Sequence, residues 1–155
     1  MCSNVVVRVK GQEKMIELGE KIGRFFTPNM VITLSGDLGA GKTTITKGFA
    51  LGLDIKTVIN SPTFTIMKIH QGRLTLYHMD VYRLDNSSGD DYLEEYFYMD
   101  GVSVIEWADN LSDIIPDERL EINIQYIDDT EREITFISKG IEYEKLLERV
   151  FKDYE

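Results

Sequence analysis

The sequence predicts an α/β domain on a mixed sheet, with central parallel strands flanked by helices and antiparallel hairpins alongside. Three observations carry this prediction. The apolar run Met30-Val31-Ile32-Thr33-Leu34 passes directly into the glycine-rich stretch "GDLGAGKTT" and then into a helical pattern. A second apolar run, "VSVIEW" at 102–107, ends beside a carboxylate. Between and after them lie apolar segments separated by short polar turns, as hairpins require.

Taken in order, Val5, Val7 and Val9 before Gly11 indicate a short first strand. Residues 12–26 place Met15, Leu18, Gly19, Ile22 and Phe25 or Phe26 at three- and four-residue steps, one apolar helical stripe that Thr27-Pro28-Asn29 ends. Residues 30–35 read as a fully buried strand in the middle of a parallel sheet covered on both faces. Residues 42–53 carry Ile45, Phe49 and Leu53 four apart, so the glycine stretch opens a helix of about three turns. Residues 63–69 and 74–79 suggest a hairpin whose turn, Gln71-Gly72-Arg73, uses glycine for a positive dihedral. A strand over 102–105 follows, then a brief helix over 111–115 stopped by Pro116. Leu120, Ile122, Ile124 and Tyr126 alternate, Asp128-Asp129-Thr130 turns, and Ile134 and Phe136 alternate on the return. In the tail, Tyr143, Leu146 or Leu147, Val150 and Tyr154 share one helical face.

A chain of 155 residues without internal repeats fits one domain spanning 1–155, and "DNSSGDD" at 85–91 reads as a surface loop within it. A hydrophobic fraction of 43% excludes disorder and collagen-like architecture. With 27 acidic and 17 basic residues, a net charge of -10, autonomous nucleic-acid binding through phosphate contacts is excluded. Cys2 is the only cysteine, which leaves no internal disulfide or cysteine-cluster metal site and fits a reducing compartment. The apolar run near the N-terminus is three valines, too short for a signal peptide, and no later run has the length of a membrane span. A soluble, cytoplasmic protein is expected.

Gly36, Gly41, Lys42 and Thr43 satisfy the phosphate-loop spacing G-x-x-x-x-G-K-[ST], between a predicted strand and a predicted helix. Glycines at such a turn let backbone N–H groups approach phosphate oxygens, and the helix start directs its unpaired amides at the same anion. The expected nucleotide-binding set is Gly36, Asp37, Leu38, Gly39, Ala40, Gly41, Lys42, Thr43 and Thr44. Lys42 would reach the β- and γ-phosphates and the Thr43 hydroxyl would ligate Mg²⁺. The bland alternative is a glycine turn closing a strand–helix unit without ligand.

Such a cradle needs carboxylates at strand ends. Glu106 closes a strand where a parallel sheet opens into its ligand crevice, and is expected to serve Mg²⁺ directly or through water; a solvent-facing terminus is the alternative. Asp80 lies in "HMDVYR" with Tyr82 and Arg83, and such an Asp, read alone, is more often a turn residue with a surface partner than a catalytic acid. His70 and His78 lack metal-ligand spacing, so each defaults to a packed or solvated histidine. In "NSPTFT", Ser61, Pro62, Thr63 and Phe64 lie where nucleotide switches offer a γ-phosphate-sensing hydroxyl, or simply form a proline turn into a strand.

The combination of Gly36 to Thr44, Ser61-Pro62-Thr63-Phe64, His78, Asp80, Tyr82 and Arg83, and Ile105-Glu106-Trp107 resembles one family across most of the chain. That family is TsaE, the small bacterial P-loop ATPases required for making threonylcarbamoyladenosine (t6A) in tRNA. The resemblance implies that Lys42 and Thr43 bind ATP and Mg²⁺, that Glu106 serves the metal or the water, and that Asp80 and Trp107 are needed for activity. It implies that Thr63 is switch-like and that Trp107 packs near nucleotide or a partner, a core indole being the alternative. It further implies that nucleotide turnover, slow alone and stimulated by partners, supports the TsaD and TsaB transferase subunits, tRNA being met only through that complex. Whether Arg83 acts in cis stays open. The pattern departs from the family in the loop 86–91 and the C-terminal helix, where nothing is transferred.

Two other functions fit the same cradle. One is a nucleotide-gated binding module with incidental hydrolysis. The other is a small-molecule kinase, against which stands the lack of an arginine-rich lid segment.

Overall fold

The computed structural model describes residues 2–36, 40–59, 67–80, 95–106 and 114–152. Its seven-stranded sheet runs in the order β1-β7-β6-β2-β5-β4-β3. The strands are β1 (Cys2–Lys10), β2 (Val31–Gly36), β3 (Met67–His70), β4 (Leu76–Asp80), β5 (Val102–Glu106), β6 (Arg119–Tyr126) and β7 (Glu131–Lys139). β6, β2, β5 and β4 are mutually parallel, and antiparallel partners flank them, β7 and β1 on one side and β3 on the other. This is the mixed α/β sheet that the sequence predicts.

Burial follows the apolar patterns. Val31, Ile32 and Leu34 of β2 are at most 1% exposed, as a strand covered on both faces must be. Ile32 and Leu34 join Val104, Ile122 and Phe136 in the larger core, which also takes the apolar stripes of α1 (Gln12–Arg24), α2 (Lys42–Gly52) and α3 (Ile141–Phe151). Val31, Met79 and Ile105, on the opposite face of their strands, form a smaller core with Phe97. In α1 the predicted stripe Met15, Leu18, Gly19 and Ile22 is buried, and Phe26 packs against Phe49 of α2 just beyond the helix. The Tyr143 hydroxyl of α3 accepts a hydrogen bond from the Val31 amide at 2.8 Å, tying that helix to the central strand. Burial raises the Tyr143 pKa above the ordinary phenol value. No described helix is long and apolar enough to cross a membrane.

Two expectations change. Gly72 does not take a positive φ: Gly11, Gly36, Gly41 and Gly140 are the described glycines that do. Glycine is required at position 72 by crowding, because a Cβ there would lie 2.3 Å from the Leu53 carbonyl oxygen, which also accepts a 2.6 Å hydrogen bond from the Arg73 amide. In the segment 111–115, Ile114 and Ile115 form a turn and a bend instead of a helix, and 111–113 lie outside the described residues. The segments 63–66 and 85–91, together with Tyr154, are also outside them.

The helix that opens the glycine stretch is held by an unusually near neighbour. A Cβ on Gly19 of α1 would lie 2.4 Å from the Ile45 carbonyl, and one on Gly48 of α2 would lie 2.4 Å from the Ile16 carbonyl. The backbones of α1 and α2 therefore touch. Gly48→Ala is expected to destabilise the fold by about 1–3 kcal/mol through overpacking, more than the roughly 1 kcal/mol that alanine contributes to a helix. Urea denaturation followed by far-UV circular dichroism checks this as a lowered midpoint.

Candidate functional site

The site grows from the point where β2 gives way to α2. Gly36 ends β2 with φ 147°, and a Cβ there would stand 2.4 Å from the Ile124 carbonyl oxygen of β6. Only glycine fits. Gly41, at φ 118°, turns the chain into α2 and leaves the helix without a side-chain cap. The first turn of α2 carries no acidic residue, whereas α1 carries Glu13 and α3 carries Glu142 and Glu144. The positive end of the α2 dipole is thus bare of protein countercharge in that turn.

Lys42 is 6% exposed and bends back on the loop, its Nζ donating to the Gly36 carbonyl at 2.7 Å. The Thr46 hydroxyl donates to the Lys42 carbonyl at 2.8 Å, which fixes the first turn behind it. Thr43 and Thr44 are half-buried beside Lys42, and Ala40 is buried. An ammonium, helix-start amides and hydroxyls gathered in one turn suit an anion with several oxygens.

The acids stand next door. β2, β5 and β4 are parallel neighbours, with Leu34 in register with Glu106 and Glu106 in register with Asp80. Asp80 and Glu106 therefore end adjacent strands at the same sheet edge that delivers the chain into the glycine loop, the edge where open α/β sheets take their ligands. Asp80 is half-buried. Glu106 is 3% exposed, so a solvent-facing terminus does not describe it.

Glu106 has a partner that sequence reasoning missed. His78 of β4 is fully buried, and its Nε2 donates to Glu106 Oε2 at 2.6 Å. The buried Nδ1 of His78 has no hydrogen-bond partner among the described residues. His70, at the end of β3, is placed differently: its Nδ1 shares a 2.8 Å hydrogen bond with the Thr57 hydroxyl. Burial lowers the His70 pKa below the ordinary imidazole value, and His78 and Lys68 lower it further. Of the two defaults, packed or solvated, both histidines take the packed one, and neither default includes the carboxylate that His78 meets.

A second missed residue is Arg132, on β7. Its Nε donates to the Ala40 carbonyl at 3.0 Å and its Nη1 to the Glu131 carbonyl at 3.1 Å, while the guanidinium lies 4.6 Å from the centre of the Tyr126 ring. The turn that carries it is stiff, because Asp128 Oδ1 accepts from the amides of Thr130 and Glu131, contacts that also hold its carboxyl below the usual pKa. Gly11, Met15, Ala40, Thr44, Thr130 and Arg132 border a cavity of about 90 Å³ beside the loop. Only the hairpin pattern pointed to this region, and alternation does not reveal what an arginine will reach.

The structure thus brings together Gly36, Ala40, Gly41, Lys42, Thr43 and Thr44, with Asp80 and Glu106 on neighbouring strand ends. Asp37, Leu38, Gly39, Ser61, Pro62, Thr63, Phe64, Tyr82, Arg83 and Trp107 lie outside the described residues. Among the described residues no group of three or more His, Cys, Asp and Glu side chains is arranged to hold a metal ion.

Comparison with known proteins gives similarity to one family over most of the chain. The family described as "Threonylcarbamoyl adenosine biosynthesis protein TsaE" matches residues 9–134. The chain is 49% identical over 144 residues to the tRNA threonylcarbamoyladenosine biosynthesis protein TsaE of Bacillus subtilis, covering 92% of this chain and 91% of that one. It is 45% identical over 121 residues to the protein of that name from Treponema pallidum, covering 76% and 88%. A crystal structure of Bacillus subtilis YdiB superposes with a TM-score of 0.88 at 43% identity, covering 100% of this chain and 99% of that one.

Removing the arginine contact should loosen the loop without unfolding the domain. A hydrogen bond to a charged group contributes about 1.5–3 kcal/mol, so Arg132→Met is expected to speed amide exchange in the first turn of α2 by roughly 10- to 100-fold. Hydrogen–deuterium exchange resolved by mass spectrometry measures this, with unchanged exchange in β5 as the internal reference.

Proposed function

The chain belongs to the TsaE family, and from that premise we propose that it is a Mg²⁺-dependent ATPase acting in tRNA threonylcarbamoyladenosine biosynthesis. In this reading it works in the cytoplasm and binds and hydrolyses ATP to drive or reset the transferase formed by TsaD and TsaB. The observation that supports it most is the Lys42 ammonium held against Gly36 at the uncapped start of α2, with Asp80 and Glu106 on the adjoining strand ends.

In this reading the amides of the glycine loop and the α2 start hold the phosphates, and Lys42 exchanges its contact with the Gly36 carbonyl for β- and γ-phosphate oxygens. The residues present fit Mg²⁺, which takes oxygen ligands, keeps several waters and needs few protein groups beyond the substrate phosphates. Thr43 and Glu106 would hold it, and when bound it supplies charge neutralisation between the β- and γ-phosphates. Asp80 and Glu106 then orient the attacking water. The net charge of -10 disfavours direct tRNA binding, so tRNA is met through the partner subunits. Hydrolysis is slow in the isolated chain, and a group delivered by a partner accelerates a P-loop ATPase by about 10³- to 10⁵-fold when that group is an arginine.

Two measurements test the reading. Lys42→Ala is expected to weaken Mg-ATP binding by at least about tenfold, the loss of one charge-assisted contact, as titration calorimetry reports. Glu106→Ala is expected to keep most of the binding while phosphate release falls by about 10²-fold or more. Phosphate release that rises on adding TsaD and TsaB supports a partner-driven ATPase. ATP-dependent assembly without such a rise marks a nucleotide-gated module instead, and wild-type protein that gives no heat with Mg-ATP overturns the nucleotide reading.

A further inference from the structure

We propose that His78 is a positioning residue that sets the direction of the Glu106 carboxylate, an inference that rests on the ATPase reading above. His78 is in register with Val104, two residues before Glu106, so the 2.6 Å contact runs diagonally across the β4–β5 pair. The Glu106 side chain therefore leans back along the sheet onto the imidazole. The bond to Oε2 fixes the plane of the carboxylate and with it the direction of Oε1.

Packing alone does not explain this pair. A buried carboxylate costs several kcal/mol unless it is paired, and apolar residues of similar volume at both positions are commonly neutral or stabilising. Val102, Val104 and Ile105 show that β5 accepts apolar side chains along this stretch, each fully buried. Glu106 occupies the last position of β5, in register with Leu34 of the strand that enters the glycine loop, and His78 reaches it from β4. A carboxylate meant to receive a metal or a water must be held before either arrives, because reorienting it during the reaction adds to the barrier. Among the described residues His70, the other buried imidazole, meets a threonine hydroxyl and no carboxylate, so there the arrangement is particular to His78.

The test compares full-length variants. His78→Leu fills the volume without a donor, whereas His78→Gln places an amide N–H near the position of Nε2. Outer-shell partners of metal-binding groups typically change metal affinity or activity by about 10- to 100-fold, which sets the expected loss of kcat in His78→Leu, with KM for Mg-ATP within about threefold of wild type. Binding of Mn²⁺, used as a paramagnetic probe on the ADP-bound protein, is expected to weaken by a similar factor, and His78→Gln to restore both readouts to within a few-fold. In a Glu106→Ala background, His78→Leu should add no further loss. Should His78→Leu not fold, His78→Asn takes its place, since its shorter amide does not reach Oε2. With an active wild type, the proposal is overturned if the donorless variant keeps wild-type kcat, if the Gln variant is equally impaired, or if the loss persists without Glu106. A wild type that neither binds nor hydrolyses Mg-ATP overturns the ATPase reading first and this proposal with it.

Discussion

The carboxyl edge of this sheet depends on how near β2 comes to β6. At Gly36 the approach leaves no room for a side chain, the Ile124 carbonyl standing where a Cβ would be. That contact lets β2 end flush against its parallel neighbour. Lys42 then reaches back over six residues to the same Gly36, so the turn closes on itself through a carbonyl–ammonium hydrogen bond. That contact ties the first residue of α2 to the last residue of β2. The α1–α2 crossing serves the same end from behind. Gly19 and Gly48 let two backbones meet, and the helix carrying Lys42 and Thr43 is packed directly on α1.

The acids obey a different constraint. Asp80 and Glu106 reach the site only because β4 and β5 are parallel and in register, so their placement depends on sheet pairing and not on the local chain. Burying Glu106 beside a glycine loop is costly in a low-dielectric interior, and His78 offsets part of that cost with one charge-assisted hydrogen bond. Arg132 is another long-range support, reaching 92 residues along the chain to a carbonyl of the glycine loop. Both contacts come from strands that the loop does not touch in sequence.

This division explains what was legible beforehand. The strand before the loop, the helix after it and the stripe of α1 were readable because each is set by nearest neighbours along the chain, where apolar period and glycine spacing act directly. The hairpin of Leu120 to Phe136 was readable by alternation, yet alternation assigns faces and not neighbours, so nothing announced that β6 lies beside β2. Gly72 was expected to supply a dihedral and instead supplies space, because the Leu53 carbonyl that crowds it belongs to another element. His78 has no sequence spacing to any ligand, and its meaning appears only once register sets it diagonal to Glu106. Membership of the TsaE family supplies a reason for the motifs to occur together, but it does not say which oxygen of Glu106 is held.

The same division has a mechanical consequence. The nucleotide-binding stretch proposed above is contiguous in the chain, running from the end of β2 into α2. The carboxylates are held by strand pairing and by one imidazole, so a small slide of β4 against β5 changes the diagonal His78–Glu106 distance while leaving the Lys42–Gly36 contact intact. A hydrogen bond at 2.6 Å is sensitive to shifts of a few tenths of an ångström, whereas a cradle of several amides averages over them. In the ATPase reading proposed above, binding and turnover are therefore separable. A force applied to the strand ends of β4 and β5 would act on the geometry of the acids before it acts on the Lys42–Gly36 contact.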